Sequence, residues 1–224
     1  MTTREDQLIS RILKNGDEEA SHELLDEINS GYPVTCLLLL LESRNPSAVQ
    51  AGVWIASELG DLIAPLIPEL SNLLSHPSRQ VRFFVLDSLL NAGTPEHGEA
   101  LGAAVERIQD ADEVVRWKAM NFLARASEEQ LTASLPFVGH QNLANLVRWL
   151  IDTGRRLDTV AVVHHLEKAD RLARLVAAAA AVRLASRNEV AIERAVLSLD
   201  REISSFAREQ VRLRWWRSRP PATY

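Results

Sequence analysis

The residue types that perform acid–base, metal or nucleophilic chemistry are present in this sequence, but their spacing does not suit such chemistry. His164 and His165 are adjacent, so on a helix their side chains would point about 100° apart and could not share a metal as an i, i+4 pair does. Glu18 and Glu19 stand at a predicted helix start, where carboxylates complement the helix dipole. Cys36 lies in the apolar run VTCLLLLLE, where a cysteine packs as a small apolar residue. We therefore predict no catalytic residues, no metal site, no cofactor and no enzyme activity.

The overall composition is that of a soluble globular protein. Hydrophobic residues make up 46% and charged residues 25% of the 224 residues. The two longest apolar runs, 34–41 and 175–182, are too short to cross a bilayer, which takes about 20 residues. The N-terminus lacks the basic and apolar stretches of a secretory signal, and the single cysteine fits a reducing compartment. We expect a cytoplasmic protein with no membrane span.

Acidic and basic residues are divided unevenly between the two halves of the chain. Residues 1–112 contain 7 Lys/Arg and 18 Asp/Glu, a balance of −11, and residues 113–224 contain 18 Lys/Arg and 12 Asp/Glu, a balance of +6. This asymmetry would place opposite potentials at the two ends of an elongated body and favours a partner with a basic surface. The alternative is that solvated helix faces differ in charge without any partner.

A tripeptide recurs at a nearly constant interval. The sequences VRF at 81–83, VRW at 115–117 and VRW at 147–149 lie 34 and then 32 residues apart. The first two open helical stretches of the same design, VRFFVLDSLLNAG and VRWKAMNFLARAS. A period of about 30 to 40 residues built from paired helices is typical of an α-solenoid, a fold whose long surface holds other macromolecules.

The apolar periodicity predicts seven helix pairs separated by short breaks rich in Gly, Pro, Asn and Asp. The pairs are 4–14 with 17–30, 33–43 with 46–60, 62–75 with 77–92, 95–109 with 111–126, 128–136 with 140–153, 157–167 with 169–186, and 188–199 with 201–216. Pro65 and Pro68 should bend or delay the helix at 62–75.

These pairs indicate a single solenoid domain over residues 1–218. Within it, 1–31 form N-terminal cap helices, 33–154 hold the best-matching repeats, and 155–218 hold degenerate repeats and a C-terminal cap. Residues 219–224 are expected to be a flexible tail.

The repeats resemble HEAT repeats, most closely over residues 45–126. The family pattern is a Pro or Asp in the turn, a Val-Arg pair that opens the second helix, and small and apolar residues that end in Leu. This chain matches with Pro77, Val81-Arg82 and Leu89, and again with Asp110, Val115-Arg116, Ala119 and Leu123. The resemblance implies an all-α, right-handed α-solenoid of about six to seven antiparallel helix pairs, in which the second helix of each pair lines a concave face.

The resemblance is incomplete at the charged ladder of the family, in which an Asp stands six residues before the Arg. Asp110 and Arg116 fit that spacing, but position 76, six residues before Arg82, is a histidine, and position 142, six before Arg148, is an asparagine. The fourth repeat, around 147–149, also ends early at Gly154. After residue 155 the match is only to a generic helical hairpin.

On the helix 111–126, one apolar stripe should be core and a neighbouring stripe should look into the concave groove. The core stripe is Val115, Ala119, Phe122, Leu123 and Ala126, and the groove stripe is Glu113, Trp117, Met120, Asn121 and Ala124. Equivalent positions on the preceding second helices hold Trp54, Phe83 and Asp87.

Large rings repeated at one position of successive repeats would form a row of anchors flanked by charges, as binding hot spots do. We therefore predict that a protein partner contacts Trp54, Phe83, Asp87, Glu113, Trp117 and Asn121. The alternative for Phe83 and Trp117 is that each ring packs between adjacent second helices as part of the core.

The function predicted from these features is a non-catalytic scaffold that binds a protein with a basic surface in its groove. Its small size and acidic half resemble the immunity proteins that bacteria pair with secreted toxins. The resemblance to HEAT-like solenoids leaves open two other groups: alkylpurine-DNA glycosylases, which use a basic groove with Trp, Asp and Arg side chains, and the bilin-attachment and bilin-detachment proteins of phycobilisomes. The acidic first half of this chain disfavours the first group, because DNA binding draws on several Lys/Arg contacts to phosphates.

The last segment, REQVRLRWWRSRPPATY, combines several arginines with Trp215-Trp216. A terminal solenoid helix has one unpartnered face, which long arginine stems and tryptophan can cover. We therefore interpret the segment as a cap rather than as an RNA-binding platform, which would need further stacking rings.

Overall fold

The computed structural model describes residues 3–217 and the side chains up to Arg214. Within this range the chain folds into α-helices and short 3₁₀ segments, and no β-strand occurs among these residues. The helices are α1 Arg4–Asn15, α2 Glu18–Asn29, α3 Leu38–Leu41, α4 Pro46–Glu58, α5 Ile67–Asn72, α6 Arg79–Ala92, α7 Gly98–Glu106, α8 Glu113–Arg125, α9 Glu128–Ser134, α10 Gln141–Arg156, α11 Thr159–Lys168, α12 Arg171–Leu184, α13 Val190–Val196 and α14 Arg201–Arg217. The predicted tail, 219–224, lies outside the described residues.

The first half is built in two layers, as the repeat predicts. The second helices of successive pairs stack side by side, with α2 on α4, α4 on α6 and α6 on α8. The first helices form the other layer, in which α3 contacts α5, α5 contacts α7, and α7 packs against α9. The fold is thus an all-α solenoid, which confirms the predicted fold class.

The helices of the outer layer are short because 3₁₀ turns interrupt them. The helix predicted at 33–43 is a 3₁₀ segment, Val34–Leu37, followed by the four residues of α3. The helix predicted at 62–75 is divided in the same way, with 3₁₀ segments at Gly60–Leu66 and Leu73–Ser75 on either side of α5. Pro65 lies inside the first of these segments and Pro68 in the first turn of α5, so the predicted delay of this helix is confirmed.

The core runs along the seam between the two layers and continues into the C-terminal half. All five residues of the core stripe predicted on α8 are buried, from Val115 to Ala126. Gly102 on α7 lets the outer layer close, because a Cβ added there would lie 2.7 Å from the Cβ of Phe137. Gly98, one turn earlier on α7, has the same role: a Cβ there would lie 2.7 Å from the carbonyl oxygen of Ala133.

The C-terminal half departs from the simple repeat after α9. The inner helix that follows α8 in space is α12, whereas α10, which carries the third tripeptide, packs against α9 and α12. Val147 of that tripeptide is buried, but Arg148 is exposed and donates to Asn145, at 2.9 Å. The helix predicted at residues 140–153 is therefore present, but the expectation that it stacks next to α8 as the second helix of its pair is wrong, because α12 takes that position.

Helix α12 occupies this inner position because its central run, residues 175–182, is apolar on every side. It is surrounded by α8, α10, α11, α13 and α14. Its buried residues are Ala173, Leu175, Val176, Ala177, Ala178, Ala179, Ala180, Ala181 and Leu184. Alanine gives a helix little bulk, so neighbours can approach closely from all directions. In a two-layer array one side of each helix faces solvent. A helix with this apolar surface needs cover on more sides than such an array provides.

Among the described residues, no helix has the length and apolar character needed to cross a membrane.

Candidate binding groove

A row of aromatic rings crosses the inner helices from α2 to α14. We call it the ring row, and it consists of His22, Trp54, Phe84, Phe83, Trp117 and Phe206. His22 and Trp54 meet edge to face with their centroids 4.6 Å apart. Phe84 and Phe83 are 5.7 Å apart, and Phe83 stacks on Trp117 at 6.5 Å with 18° between the planes. Phe206 closes the row with its edge against Trp117, at 5.8 Å.

The ring row has two parts, His22 with Trp54 and Phe84 with the remaining rings, and both parts border a cleft between α2, α4 and α6, which we call the N-terminal cleft. Its volume is about 560 Å³, and Trp54 and Phe84 are both part of its lining. The remaining lining is polar, with Glu18 and His22 from α2 and Gln50 from α4. Trp54 and Phe84 are half-buried, while Glu18 and His22 are exposed. The cleft therefore offers flat apolar surfaces beside one free carboxylate.

Trp54 is held in place by the start and the stem of its own helix. Asn45 caps α4 by accepting a hydrogen bond from the backbone N–H of Ser47, at 3.0 Å. The amide nitrogen of Asn45 donates to the carbonyl of Leu13 at 2.9 Å, which ties α4 to the end of α1. Val53 and Ile55, on either side of Trp54, are fully buried. The helix is thus fixed in direction, and the ring can point only into the cleft.

The C-terminal end of the predicted groove stripe is covered by the chain itself. Asn121 is only 4% exposed, and its amide oxygen accepts a hydrogen bond from Gln210 of α14 at 3.2 Å. Met120 and Ala124 are buried as well. The expectation that this stripe lies open is therefore wrong beyond Trp117, because α14 packs over α8 at this point. Trp117 itself is half-buried between Phe83 and Phe206.

Asp87 is engaged in an ion pair that the sequence pattern did not reveal. Its carboxylate lies 2.5 Å from the ammonium of Lys118 on α8, and that lysine is only 6% exposed. The same ammonium lies 4.8 Å from the centre of the Phe83 ring, within the range of a cation–π contact. Burial lowers the pKa of Lys118, and the charge of Asp87 opposes that shift. This pair therefore fixes α6 to α8 beneath the ring row.

Glu113, the remaining residue predicted to contact a partner, stands in the first turn of α8 and is exposed. Its neighbour in the turn, Asp112, caps the helix by accepting from the backbone N–H of Val114 at 2.9 Å. Glu113 therefore supplies a negative charge on the same helix as Trp117.

The arginines of the first two tripeptides hold the stacked helices together through equivalent contacts. Arg82 donates to both carboxylate oxygens of Asp110, at 2.9 Å each, and to the carbonyl of His76 at 2.7 Å. Arg116 donates to the carbonyl of Asp110 at 2.7 Å and to both oxygens of Glu202, at 2.7 and 3.1 Å. Each arginine thus binds the turn before its own helix and a carboxylate of another element. That element is the turn before α8 for Arg82 and helix α14 for Arg116.

Among residues 3–217, no group of three or more His, Cys, Asp or Glu side chains is placed to hold a metal ion. His165 stacks on Trp149 with the ring centroids 4.2 Å apart, away from the ring row. Burial raises the pKa of the Cys36 thiol to about 11, which keeps it in the unreactive neutral form.

No protein-family model matches the sequence, and no curated protein matches it. Among solved structures, the chain is similar to a designed armadillo repeat protein, with 19% identity and a TM-score of 0.50 over 92% of this chain and 98% of the designed one. It is also similar to a designed armadillo repeat protein in complex with the peptide (KR)4, with 18% identity and a TM-score of 0.48 over 94% and 99% of the two chains. An engineered protein gives 20% identity and a TM-score of 0.48 over 94% and 97%. At these identities a likeness concerns the fold, and the first of these structures agrees with what the packing of the helices shows: the chain is a helical repeat solenoid.

Proposed function

We propose that this protein is a non-catalytic binding module and that its ring row holds a segment of a protein partner with a basic surface. The observation that carries the proposal is that two groups of aromatic rings on successive inner helices, one at Trp54 and one at Phe84, line the same cleft. Clustered aromatic side chains in partly desolvated positions are typical of the residues that supply most of the energy of a protein interface.

The charge of the surrounding chain supports a basic partner. Residues 1–112, which supply the ring row up to Phe84, carry a balance of −11. Glu18 is exposed in the lining of the N-terminal cleft, and no ion pair engages it within the described residues. A lysine or arginine of the partner would meet the indole face of Trp54 and the Glu18 carboxylate together, which suits a cation.

The residues predicted to contact the partner differ in how accessible they are to it. Trp54, Phe83 and Glu113 belong to the proposed surface directly. Asp87 acts through its pair with Lys118, and Trp117 through its stack on Phe83. Asn121 would reach a partner only after α14 moved, because Gln210 covers it. The N-terminal cleft is therefore the best-defined part of the proposed site.

Three narrower proposals belong with this function. The equivalent contacts of Arg82 and Arg116 support a HEAT-type solenoid in particular. The acidic half supports an immunity or inhibitor protein that neutralises a basic toxin domain, since opposite charges speed capture. The half-buried, unpaired thiol of Cys36 is consistent with a cytoplasmic location.

To test the proposal, a basic peptide of alternating lysine and arginine is added to the protein, and its binding is measured by the change in tryptophan fluorescence. Trp54→Ala should weaken binding by roughly thirtyfold, about 2 kcal/mol. Trp149→Ala is the matched control, because Trp149, like Trp54, is half-buried and in contact with a histidine ring but lies outside the ring row. Equal affinity of both variants and the unaltered chain would refute the proposed site.

A charge reversal tests the electrostatic part of the proposal. Glu18→Lys should slow association and reduce its dependence on salt, whereas Glu99→Lys on the outer helix α7 should leave both unchanged. A duplex with an abasic site is the probe for the glycosylase-type alternative. Tight binding of that duplex at physiological salt, with no binding of the peptide, would favour the alternative.

A further inference from the structure

Helix α13 buries one face and exposes Glu193 and Arg194 on the other, with apolar residues at both ends of that exposed face. Ala191, Ile192 and Ala195 are buried against the rest of the protein. On the outward side, Val190 and Leu197, just beyond the end of the helix, are 52% and 71% exposed. Large apolar side chains that are exposed close together, as these two are, can mark an interaction surface.

Beside Leu197 lies a large cleft, which we call the C-terminal cleft. It has a volume of about 980 Å³ and lies between α13, α14 and the last turns of α8 and α12. Its walls are mostly apolar, with Val182, Ile192, Val196 and Leu213, and Leu197 and Val211 lie at the exposed edge. Exposed apolar residues of α13 and a mostly apolar cleft are therefore next to each other on one end of the solenoid.

The two walls of the C-terminal cleft carry opposite charges. Arg125, at the end of α8, and Glu193, on α13, both belong to the lining and are exposed. Neither is within ion-pair distance of an opposite charge among the side chains described, those of residues 3–214, whereas Arg214 in the same lining contacts Glu189 at 3.5 Å. A two-fold rotation would bring the acidic wall of one copy opposite the basic wall of a second copy, so the surface is complementary to itself.

We propose that two copies of this chain associate through their C-terminal clefts, with Leu197 of each copy inserted into the cleft of the other and Glu193 facing Arg125 across the two-fold axis. The ring row uses other residues, so the dimer and the proposed partner binding can be tested separately. The dimer would cover the exposed apolar residues of α13 and place both free charges in ion pairs.

The first test is the mass of the unaltered protein by sedimentation equilibrium. Since one chain weighs 25.0 kDa, the expected mass is twice that value at high concentration, falling toward one chain on dilution over about two decades. Leu197→Glu should weaken the dimer by at least about tenfold. Leu62→Glu, at a similarly exposed leucine of the outer layer, should leave the dimer unchanged. A single-chain mass at all concentrations would overturn the proposal, as would a dimer indifferent to Leu197→Glu.

The second test uses the charges, and circular dichroism of each variant checks that the fold is kept. Glu193→Arg and Arg125→Glu should each weaken the dimer, because each puts like charges opposite one another. The double variant should restore it, because the pair is re-formed with the charges exchanged. If the double variant is as weak as the single ones, the proposed two-fold arrangement is wrong.

Discussion

Arg116 and Glu202 are 86 residues apart in the sequence, yet the guanidinium of one donates to both carboxylate oxygens of the other, at 2.7 and 3.1 Å. Each side chain is only 12% exposed. Glu202 also accepts from Arg171 of α12, at 2.6 Å. A single carboxylate at the start of α14 therefore joins the starts of three helices. Arg82 pairs with Asp110, which stands six residues before the arginine of the next tripeptide. The corresponding partner of Arg116 would be residue 142, an asparagine, and Glu202 takes its place.

This junction predicts a large effect for a small change. Glu202→Gln should lower the free energy of unfolding by about 2–3 kcal/mol, because it leaves the guanidinium of Arg116, which is only 12% exposed, without its carboxylate partner. Glu209→Gln is the control on the same helix, since the pair of Glu209 with Arg212 is exposed and should contribute nothing measurable. Denaturant unfolding of both variants is the measurement, and equal stabilities would contradict the account of the junction.

The pair of Asp87 and Lys118 predicts non-additive stabilities. Asp87→Asn should destabilise the protein by about 1–3 kcal/mol, because it leaves a buried ammonium unpaired. Adding Lys118→Met should recover most of that loss, because both charges are then gone. Asp152→Asn, which breaks an exposed pair with Arg155, should leave stability unchanged. If the double variant were less stable than Asp87→Asn, the pair would not be the cause.

Two helical glycines predict opposite responses to the same substitution. Gly102→Ala should destabilise the protein by about 1–3 kcal/mol, because the new methyl group would lie 2.7 Å from the Cβ of Phe137 and 3.1 Å from its carbonyl carbon. Gly154→Ala in α10 should stabilise by about 0.5–1 kcal/mol, because the nearest atom would be 3.9 Å away and alanine favours helix. Thermal unfolding of the two variants gives the answer. A stabilising Gly102→Ala would mean that the outer layer is not closely packed there.

The thiol of Cys36 predicts a pH dependence. Burial raises its pKa from the ordinary value of 9.0 to about 11 in the folded protein. Between these values the unfolded chain has lost the proton and the folded chain has kept it, so this group favours folding below pH 9 and the benefit declines as pH rises through 11. At pH 8 alkylation should be about a hundredfold slower in the folded than in the unfolded protein. Equal rates in buffer and in denaturant would show that the thiol is not shielded.

The sequence is sufficient for the parts of the fold that depend on local pattern. The helix pairs, the core stripe from Val115 to Ala126 and the effect of Pro65 all follow from periodicity and backbone chemistry. The position of α12 also had a signal, because the run 175–182 is apolar on every side of a helix. The burial of Lys118 and its need for a partner also had a signal in the sequence, because this residue lies between the core positions Val115 and Phe122 on one helix face.

The rest depends on contacts between distant parts of the chain, which leave no local pattern. Nothing near Asn121 indicates that Gln210 will cover it, and nothing near Arg116 indicates Glu202. The ring row was predicted at Trp54, Phe83 and Trp117 from the repeat. Its members outside the repeat, His22 and Phe206, belong to the two ends of the chain and could be placed only by the fold.

The most direct test of the ring row as a binding surface is the fluorine NMR spectrum of protein labelled with fluorotryptophan, with resonances assigned by single Trp→Phe variants. On addition of the alternating lysine–arginine peptide, the resonance of Trp54 should shift most and that of Trp117 less, because Trp54 lines the N-terminal cleft while Trp117 is half enclosed by Phe83 and Phe206. Trp149 should keep its position, since it stacks on His165 outside the ring row. A shift confined to Trp149, or no shift at a concentration where the peptide is bound, would contradict the proposed groove.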